Sequence, residues 1–467
     1  MKKLFSLLLA ATMTFSLTLP ALADHYTYSE PEKSTMMPRS TPETHGMSSQ
    51  YILDLLDAFD YADAEVHNIL MAIDGEVVFE GHYAPYTALD PHIMFSGTKI
   101  FTNAAVGVAV TEGYLDLDDY VYDVLKDYVT QDVSELQSKV QLKHLLTMTS
   151  GVDRFMSGSE LRPLTTSWIE HILTEPIVHE PGTYYLYSSG NTMLSSAMVT
   201  VATGKTCLEL LNTTGFCEEL GIKNFTWDMS PDGFNAGHGG IKITAEDLAK
   251  VGQLYMNGGV WNGKQILSKE WCDLAIGYEK TVENQGAYAY HWTAYEDGLY
   301  YTATGSYGQT LAICPKLNMV IAIQAGTKQN IGELLYQNIF KPYGDALDAG
   351  TVPEPDDALS AALAKRAENL NLMFTTDFTA SPIGELVDDV TFTAAENQYG
   401  ITTLSLDVHD DYIDYTMTDA RGTHTIRNGI WQWLKGETSM TSNYTHHQYQ
   451  YPTEPVYAYA EWKDANT

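Results

Sequence analysis

Residues 94–114, MFSGTKIFTNAAVGVAVTEGY, contain the tetrad Ser96-Gly97-Thr98-Lys99. Small and apolar residues recur at helical spacing after the tetrad as far as Gly113, which predicts a helix whose first turn carries Ser96 and Lys99. A serine and a lysine three residues apart share one face of a helix, and the free N–H groups of a first turn can receive an oxyanion. The pattern therefore indicates an activated serine, although it also suits a solvated serine and lysine at a helix start.

The length and composition indicate a globular chain of two or three domains, with 467 residues of which 44% are hydrophobic. The chain begins with Met-Lys-Lys, continues with an apolar run from Leu4 to Leu19, and reaches Pro20-Ala21-Leu22-Ala23. This order is typical of a cleavable secretory signal cut after Ala23. No later segment approaches about 20 uninterrupted apolar residues, so we expect a secreted or extracytoplasmic protein with no membrane span.

The charge and the cysteines exclude several classes of protein. A formal net charge of −34 argues against binding to nucleic acid or to anionic membranes. The four cysteines have no metal-ligand spacing and are too few for a disulfide framework. The sequence does not decide whether Cys207 and Cys217 form a disulfide bond. The adjacent His446 and His447 would point to opposite faces of a strand. We therefore expect neither a metal nor a cofactor.

The order of elements predicts an α+β fold. Two strand candidates meet at Asp74-Gly75, a strong hairpin signal, and further strands from Tyr300 to Ala325 would return to the same sheet. A largely helical region lies between them, so we expect an antiparallel sheet flanked by helices plus a helical subdomain. The predicted boundaries are a signal over residues 1–23, a first domain over 24–349, a Pro- and acid-rich linker over 350–357, and a helix with a small antiparallel β domain over 358–467.

Three motifs in order resemble the serine β-lactamase and penicillin-binding-protein superfamily. Ser96-Gly97-Thr98-Lys99 matches its Ser-x-x-Lys motif, Tyr187-Ser188-Ser189 falls at its Tyr-x-Asn, and Ala303-Thr304-Gly305-Ser306 falls at its Lys-Thr-Gly or His-Thr-Gly. Framework segments 145–151 and 248–261 also match. The likeness is greatest to class C β-lactamase-like hydrolases, namely the esterases of that group and the 6-aminohexanoate-dimer hydrolases, and it implies their β-lactamase-like fold over the first domain.

The resemblance also implies roles for individual residues. Ser96 would be the acylated nucleophile, Lys99 would lie against its hydroxyl, and Tyr187 would relay the proton. The backbone N–H groups of Ser96 and Ser306 would form the oxyanion hole. Whether Lys99 or Tyr187 is the base stays open, and Tyr187 taken alone equally suits a packed aromatic residue in a chain with 31 tyrosines.

Two departures from the family pattern narrow the expected substrate. Ala303 stands where the family usually has a cation for a substrate carboxylate, a loss worth about 1.5–3 kcal/mol. Ser189 replaces an asparagine, for which Asn191 can compensate if the turn is differently shaped. We take Ser189, Asn191, Gly305 and His238 as candidates for the substrate cleft, although His238 also suits a structural role.

We therefore expect a secreted, bacterial serine hydrolase that cleaves esters or small amides through an acyl-enzyme on Ser96. One alternative is a β-lactamase or D-amino-acid peptidase acting on peptidoglycan-type substrates. A second is a catalytically inert binding or adhesion protein. The expected partner is a small-molecule ester, amide or peptide, and contact of the C-terminal domain with the cell wall stays open.

Overall fold

The computed structural model describes residues 35–223, 225–277, 282–372, 381–440 and 453–463. The predicted signal over residues 1–23 and the pair His446-His447 lie outside these ranges. Among the helices within them, none is both long and apolar enough to cross a membrane.

The described strands form one large sheet, a second sheet near the C-terminus and two small sheets. Their bounds are β1 Val66–Ile73, β2 Glu76–His82, β3 His92–Ile93, β4 Thr226–Trp227, β5 Ile241–Ile243, β6 Val260–Trp261, β7 Lys264–Gln265, β8 Tyr288–Ala289, β9 Trp292–Tyr295, β10 Tyr300–Gly305, β11 Gln309–Cys314, β12 Met319–Ala325, β13 Val390–Thr393, β14 Thr403–Val408, β15 Tyr412–Asp419, β16 Gly422–Ile430, β17 Leu434–Thr438 and β18 Glu454–Ala460.

The described helices lie mainly between β2 and β10 and after β12. Their bounds are α1 Ser49–Tyr61, α2 Lys99–Thr111, α3 Val121–Leu125, α4 Leu142–Leu146, α5 Gly158–Leu161, α6 Trp168–Leu173, α7 Ser189–Thr203, α8 Cys207–Thr213, α9 Phe216–Leu220, α10 Ala245–Met256, α11 Lys269–Ile276, α12 Ile331–Leu335, α13 Lys341–Ala349, α14 Asp357–Glu368 and α15 Gly384–Val387.

The large sheet is antiparallel and has the strand order β2-β1-β12-β11-β10-β9-β8. The predicted hairpin between β1 and β2 is present, and both Asp74 and Gly75 in its turn have positive φ, as a type I′ turn requires. In β12, Ala325 pairs with Val66 of β1, so the late strands extend the early hairpin from the edge of β1. The predicted α+β fold is confirmed.

The sheet separates two hydrophobic cores, because alternate side chains of a strand point to opposite faces. In the fully buried β1, Leu70 and Ala72 contribute to the core shared with α2, α7 and α10. Ile69 and Met71 contribute to the core under α1, α12 and α13. The helix α2 is buried throughout its first eleven residues, since it lies between the sheet and the helical subdomain.

Helix α14 follows the predicted linker and packs on the first domain. Asp356 caps it by accepting hydrogen bonds from the N–H groups of Ala358 and Leu359. Its Leu363 lies in the same core as α1, and Arg366 pairs with an aspartate of that helix. By packing, this helix therefore belongs with the first domain.

The C-terminal sheet has the order β13-β14-β15-β16-β18-β17 and a small core formed by Ile413, Ile430 and Trp462. Its pairs are antiparallel except for a short parallel contact between β16 and β18. The small β domain that we predicted is present. Asp90 of the first domain accepts hydrogen bonds from the Tyr457 hydroxyl at 2.9 Å and from the Lys435 ammonium at 3.1 Å, which ties the two domains together.

The four cysteines are buried free thiols. Helices α8 and α9 are separated by Gly215, whose φ is 88°, so the helical structure is interrupted between Cys207 and Cys217. The two thiols are nevertheless not bonded to each other, and Cys207 Sγ instead lies 3.3 Å from the Ser196 hydroxyl.

Candidate active site

The tetrad begins in a 3-10 turn, Phe95–Thr98, that leads directly into α2. We predicted that Ser96 lies in the first α-helical turn, and the structure places it one turn earlier. The reason is Phe95, whose φ of 45° turns the chain sharply before the serine. The Met94 N–H donates to the Ile241 carbonyl at 2.8 Å, and the Gly97 N–H donates to the Met94 carbonyl at 2.8 Å. The backbone around Ser96 is therefore held on both sides.

Lys99 connects the serine to two further parts of the chain. Its side chain is 98% buried, and Nζ lies 2.9 Å from Ser96 Oγ and 3.0 Å from the His238 carbonyl oxygen. Nζ also lies 5.0 Å from the centre of the Tyr187 ring. The structure thus brings together the three residues that the sequence pattern singled out.

Tyr187 lies in the loop before α7, where aromatic rings fix its position. Its ring is 6.1 Å from Phe155, nearly parallel, and 5.6 Å from Tyr288, nearly perpendicular. The loop is anchored further by the N–H group of Ser188, which donates to Met148 Sδ at 3.5 Å. These contacts hold the Tyr187 ring beside Lys99.

The end of β10 passes directly beside the serine turn. A Cβ atom on Gly305 would lie 2.0 Å from the Met94 carbonyl oxygen, so only glycine allows this approach. The next residues form the turn Ser306–Gly308, in which Tyr307 has a φ of 62°. The Tyr307 ring packs 5.4 Å from that of Phe95, which also has a positive φ.

The buried side chain of Gln309 contacts the backbone of this turn. Gln309 Nε2 lies within hydrogen-bond distance of the carbonyl oxygens of Ser306 at 3.3 Å, Tyr307 at 3.2 Å and Ala325 at 2.5 Å. Its Oε1 accepts from the Ala325 N–H at 3.3 Å. The side-chain amide therefore links the turn to the C-terminal end of β12.

These elements enclose a cavity of about 460 Å³, which Ser96, Lys99, Tyr187 and Ser306 all line. Among its described lining residues, Lys99 is the single lysine or arginine, and none is a carboxylate. Burial and then the adjacent Lys99 ammonium lower the pKa of the lining His291 to about 3, so its imidazole is neutral. The cavity contains a buried amine close to a hydroxyl and is otherwise uncharged.

The predicted cleft residues have different places in the structure. Gly305 lines the cavity, whereas Ser189 and Asn191 are buried in the first turn of α7. Asn191 accepts a hydrogen bond from the Ser150 hydroxyl at 2.8 Å and so orders the neighbouring loop. His238 reaches Lys99 through its carbonyl group, while its ring packs 5.8 Å from Trp168.

Ala303 is buried in β10 and contributes to the core beneath the cavity. The position that we aligned with the cation of the family therefore offers no charge to the cavity. Thr304, the next residue along the strand, lines the cavity instead.

Sequence reasoning missed the hairpin β8–β9, which supplies Tyr288, His291 and Thr293 to the cavity wall. Its two-residue turn is Tyr290-His291, with φ of 50° and 71°, where such a turn usually has asparagine and glycine. Asn103 stabilises the turn by donating to the Tyr290 carbonyl at 2.9 Å. Because neither turn residue is a turn former, the pattern carried no hairpin signal.

The described residues contain one cluster with metal-ligand geometry, on the exposed C-terminal sheet. It comprises Asp407, His409 and Asp414. Asp414 already accepts two hydrogen bonds from Arg427, at 2.8 and 2.9 Å. The Arg427 guanidinium therefore neutralises one carboxylate of this cluster.

Comparisons with known proteins show the family and the fold to which this chain is similar. Residues 67–330 match the family model described as Beta-lactamase. The chain is 25% identical to a 6-aminohexanoate-dimer hydrolase of Paenarthrobacter ureafaciens, over 53% of this chain and 69% of that protein. Among solved structures, a putative 6-aminohexanoate-dimer hydrolase from Bacillus anthracis superposes with a TM-score of 0.55 at 22% identity, over 67% of this chain and 88% of that one. A family VIII carboxylesterase superposes with a TM-score of 0.50 at 15% identity, over 62% and 96% of the two chains.

Proposed function

Because this chain belongs to the β-lactamase family, whose model matches more than half of it, we propose that it is a serine hydrolase that cleaves esters or small amides through an acyl-enzyme on Ser96. The observation that carries the proposal is the 2.9 Å contact between Lys99 Nζ and Ser96 Oγ in a cavity that Tyr187 also lines. A buried amine against a hydroxyl at the wall of a cavity is the arrangement of an activated nucleophile.

In the acylation step, Ser96 Oγ attacks the carbonyl carbon of the substrate while its proton passes to the pair formed by Lys99 and Tyr187. The carbonyl oxygen becomes an oxyanion, which the N–H groups of Ser96 and Ser306 receive. The intermediate then expels the alcohol or amine, and the proton returns to that leaving group. A water molecule, deprotonated by the same pair, cleaves the ester on Ser96 and restores the free hydroxyl.

Both protonation states of Lys99 are compatible with its contacts. An ammonium donates to both Ser96 Oγ and the His238 carbonyl oxygen, and a neutral amine donates to that carbonyl while accepting from the serine. We therefore assign the base to the coupled pair of Lys99 and Tyr187.

The charge of the cavity supports esters and small amides over β-lactams or D-amino-acid peptides. Both of these last classes carry a carboxylate, and Ala303 is buried at the position where their counter-ion would stand. Burying a carboxylate without a partner is costly. We further propose, from the leader pattern that ends at Ala23, that the enzyme acts outside the cytoplasm on small molecules.

Labelling with a fluorophosphonate tests the nucleophile. Wild type and the control Ser360→Ala, which alters a serine on the outer helix α14, should gain one covalent adduct by intact mass, and Ser96→Ala should gain none. Persistent labelling of Ser96→Ala would refute the assignment, and failure of wild type to react with any acylating probe would favour the inert binding protein.

A substrate panel tests the class of reaction. Turnover of p-nitrophenyl esters with slow turnover of a chromogenic cephalosporin and of D-Ala peptides is expected. Rapid hydrolysis of the cephalosporin would instead favour the β-lactamase alternative.

A further inference from the structure

A row of hydrogen bonds lies beside the segment that leads into Ser96, and the proposed mechanism does not use it. His67 of β1 is 5% exposed, and its Nε2 lies 2.9 Å from Glu65 Oε1. Its Nδ1 lies 2.7 Å from His92 Nε2, and His92 Nδ1 lies 3.1 Å from the carbonyl oxygen of Ile93. We call these three side chains and that carbonyl group the histidine network. It connects a carboxylate to the backbone just before the serine.

The number of protons that the histidine network needs follows from its two ends. Both ends accept hydrogen bonds, because one is the Glu65 carboxyl and the other is a backbone carbonyl. The hydrogen bond from His67 lowers the pKa of the Glu65 carboxyl, so this group is ionised at neutral pH. Three contacts then require three N–H groups, whereas two neutral imidazoles have two. The fully bonded network therefore holds one additional proton.

The additional proton lies at the His67 end of the network. Burial, and then the adjacent His67, lower the pKa of His92 to about 3, so the His92 ring is neutral. In the protonated network, His67 is an imidazolium that donates to both Glu65 and His92. The neutral His92 donates its one N–H, from Nδ1, to the Ile93 carbonyl.

Loss of that proton reverses the direction of the network. An unprotonated His67 Nε2 would face the carboxylate at 2.9 Å as a second acceptor, which is unfavourable. His67 therefore keeps its proton on Nε2, and its Nδ1 accepts from His92 Nε2. The His92 Nδ1 then carries no proton, so its hydrogen bond with the Ile93 carbonyl is lost. Removal of a proton beside Glu65 thus breaks a contact at the opposite end.

That opposite end belongs to the backbone that positions the nucleophile. Ile93 ends β3, and the next residue, Met94, donates its N–H to the Ile241 carbonyl at 2.8 Å. The Met94 carbonyl accepts from the Gly97 N–H at 2.8 Å, within the turn that carries Ser96. The histidine network ties this backbone to β1 of the large sheet.

Other titratable groups lie near the network, namely Tyr86, Tyr457, Lys242, Lys435 and Asp90. Tyr86 stacks on His67 at 4.1 Å, and burial raises its pKa to about 12, so the phenol is neutral. The Lys242 ammonium further disfavours a cation on His92. Asp90 already accepts from Tyr457 and Lys435. Among the described residues, Glu65 is the one carboxylate in hydrogen-bond contact with either histidine.

We propose that the histidine network positions the nucleophile, and that it does so only while it holds the additional proton. Glu65, His67 and His92 are then positioning residues for the proposed acyl-enzyme reaction, on which this inference rests. The protonated network makes all three contacts, whereas the deprotonated network releases the Ile93 carbonyl. The pH profile of kcat should therefore contain a step in which activity falls as the pH rises.

Glu65→Gln tests the proposal, because a neutral amide removes the need for the additional proton. The amide nitrogen donates to His67 Nε2, and two neutral imidazoles then complete the other contacts. We measure kcat for a p-nitrophenyl ester from about pH 5 to about pH 9. With rising pH, kcat should fall by about two- to tenfold more in wild type than in Glu65→Gln, since the wild type alone loses a hydrogen bond.

Glu80→Gln is the matched control. Glu80 also contacts a histidine, with its Oε1 3.1 Å from His82 Nε2. The other ring nitrogen of His82 contacts the Asn68 side chain and not the backbone before Ser96. This variant should therefore keep the wild-type dependence of kcat on pH.

Nitrogen chemical shifts of the histidine rings report the network without any substrate. In protein with isotopically labelled histidine, the His92 signals are assigned by their loss in His92→Gln. In wild type, the His92 proton should lie on Nδ1 at the acidic end of the pH range and on Nε2 at the alkaline end. In Glu65→Gln it should lie on Nδ1 throughout.

The outcomes separate this inference from the proposed function. A His92 ring whose protonated nitrogen does not change with pH in wild type overturns the inference. An equal alkaline fall of kcat in wild type and Glu65→Gln also overturns it. If no ester is hydrolysed, the ester assignment fails by itself, and the same pH comparison is made on the rate at which a fluorophosphonate labels Ser96.

Discussion

Replacing Gln309 by leucine should remove most of the activity while the protein remains folded. The side chain is fully buried and contacts two carbonyl oxygens of the turn that carries Ser306, together with both polar backbone groups of Ala325. An amide nitrogen has two hydrogens, so two of its three contacts can be strong at one time. With the contact through Oε1, about two to three hydrogen bonds are lost, which we expect to cost about 2–4 kcal/mol of the free energy of unfolding.

The effect on catalysis should be larger than the effect on folding suggests. Tyr307 has a positive φ of 62°, a conformation that is unfavourable by about 1–2 kcal/mol for a residue with a side chain. Without Gln309, the turn can relax and carry the Ser306 N–H away from the oxyanion. Loss of one oxyanion donor lowers kcat by about 10²–10³-fold. We expect kcat to fall by that amount and KM to change little.

Gln324→Leu provides the matched comparison. Gln324 is an equally buried glutamine of β12, whose Nε2 donates to the Ile243 carbonyl at 2.6 Å and whose Oε1 accepts from Asn68 at 2.9 Å. Both variants should lose similar stability in urea titrations, but Gln324→Leu should keep its kcat. Binding of an arylboronic acid, which forms a tetrahedral adduct with a serine, should weaken in Gln309→Leu alone. Equal losses of kcat in the two variants, measured where both are folded, would refute the positioning role.

Two further predictions concern residues at the cavity. Gly305→Ala should lower kcat by at least about 100-fold, because its Cβ would lie 2.0 Å from the Met94 carbonyl oxygen. Gly344→Ala, whose Cβ would meet its nearest atom at 3.9 Å, should stay active, and an active Gly305→Ala would contradict the close approach. His291→Asn should resist acid better, since burial and then the Lys99 ammonium lower the pKa of the folded histidine to about 3 from 6.5. Because the unfolded chain takes up the proton first, the wild-type histidine supports folding above pH 6.5 and loses about 2 kcal/mol of that support by about pH 5. Urea titrations near pH 7.5 and pH 5 measure the loss in free energy of unfolding on acidification. An equal loss in wild type and His291→Asn would rule the prediction out.

The sequence predicted the parts of the site that depend on local pattern. The helical spacing after Ser96 and the hairpin signal at Asp74-Gly75 indicated a helix packed on an antiparallel sheet, and the resemblance to the family implied that Tyr187 lies near Ser96. The predicted position of Ser96 in the first α-helical turn was wrong, because residue periodicity does not reveal the left-handed backbone conformation of Phe95. Such a conformation depends on tertiary contacts, and the ring of Phe95 packs against that of Tyr307.

The wall of the cavity could not be predicted, because its residues are brought together by pairings distant in sequence. Tyr288 and His291 reach the site on a hairpin whose turn residues are not turn formers. Asn191 was expected near the substrate, but α7 begins at Ser189 and turns Asn191 into the protein, where it contacts Ser150. Side-chain direction at a helix start depends on the start residue, which sequence patterns fix only within a few positions.

Two irregular turns near Ser96, the hairpin turn Tyr290-His291 and the turn Ser306–Gly308, are supported by buried amide side chains. Asn103 donates to the carbonyl of Tyr290 in the hairpin turn, and Gln309 contacts the carbonyl groups of Ser306 and Tyr307 in the oxyanion turn. Both amides are fully buried, and each contacts carbonyl oxygens of irregular backbone; the Tyr307 carbonyl also accepts from the Thr327 N–H at 3.1 Å. Strain of about 1–3 kcal/mol per residue persists only where the surroundings over-determine it. The geometry of the proposed active site therefore depends on buried amides behind the cavity wall, and substitutions there should lower activity before they unfold the protein.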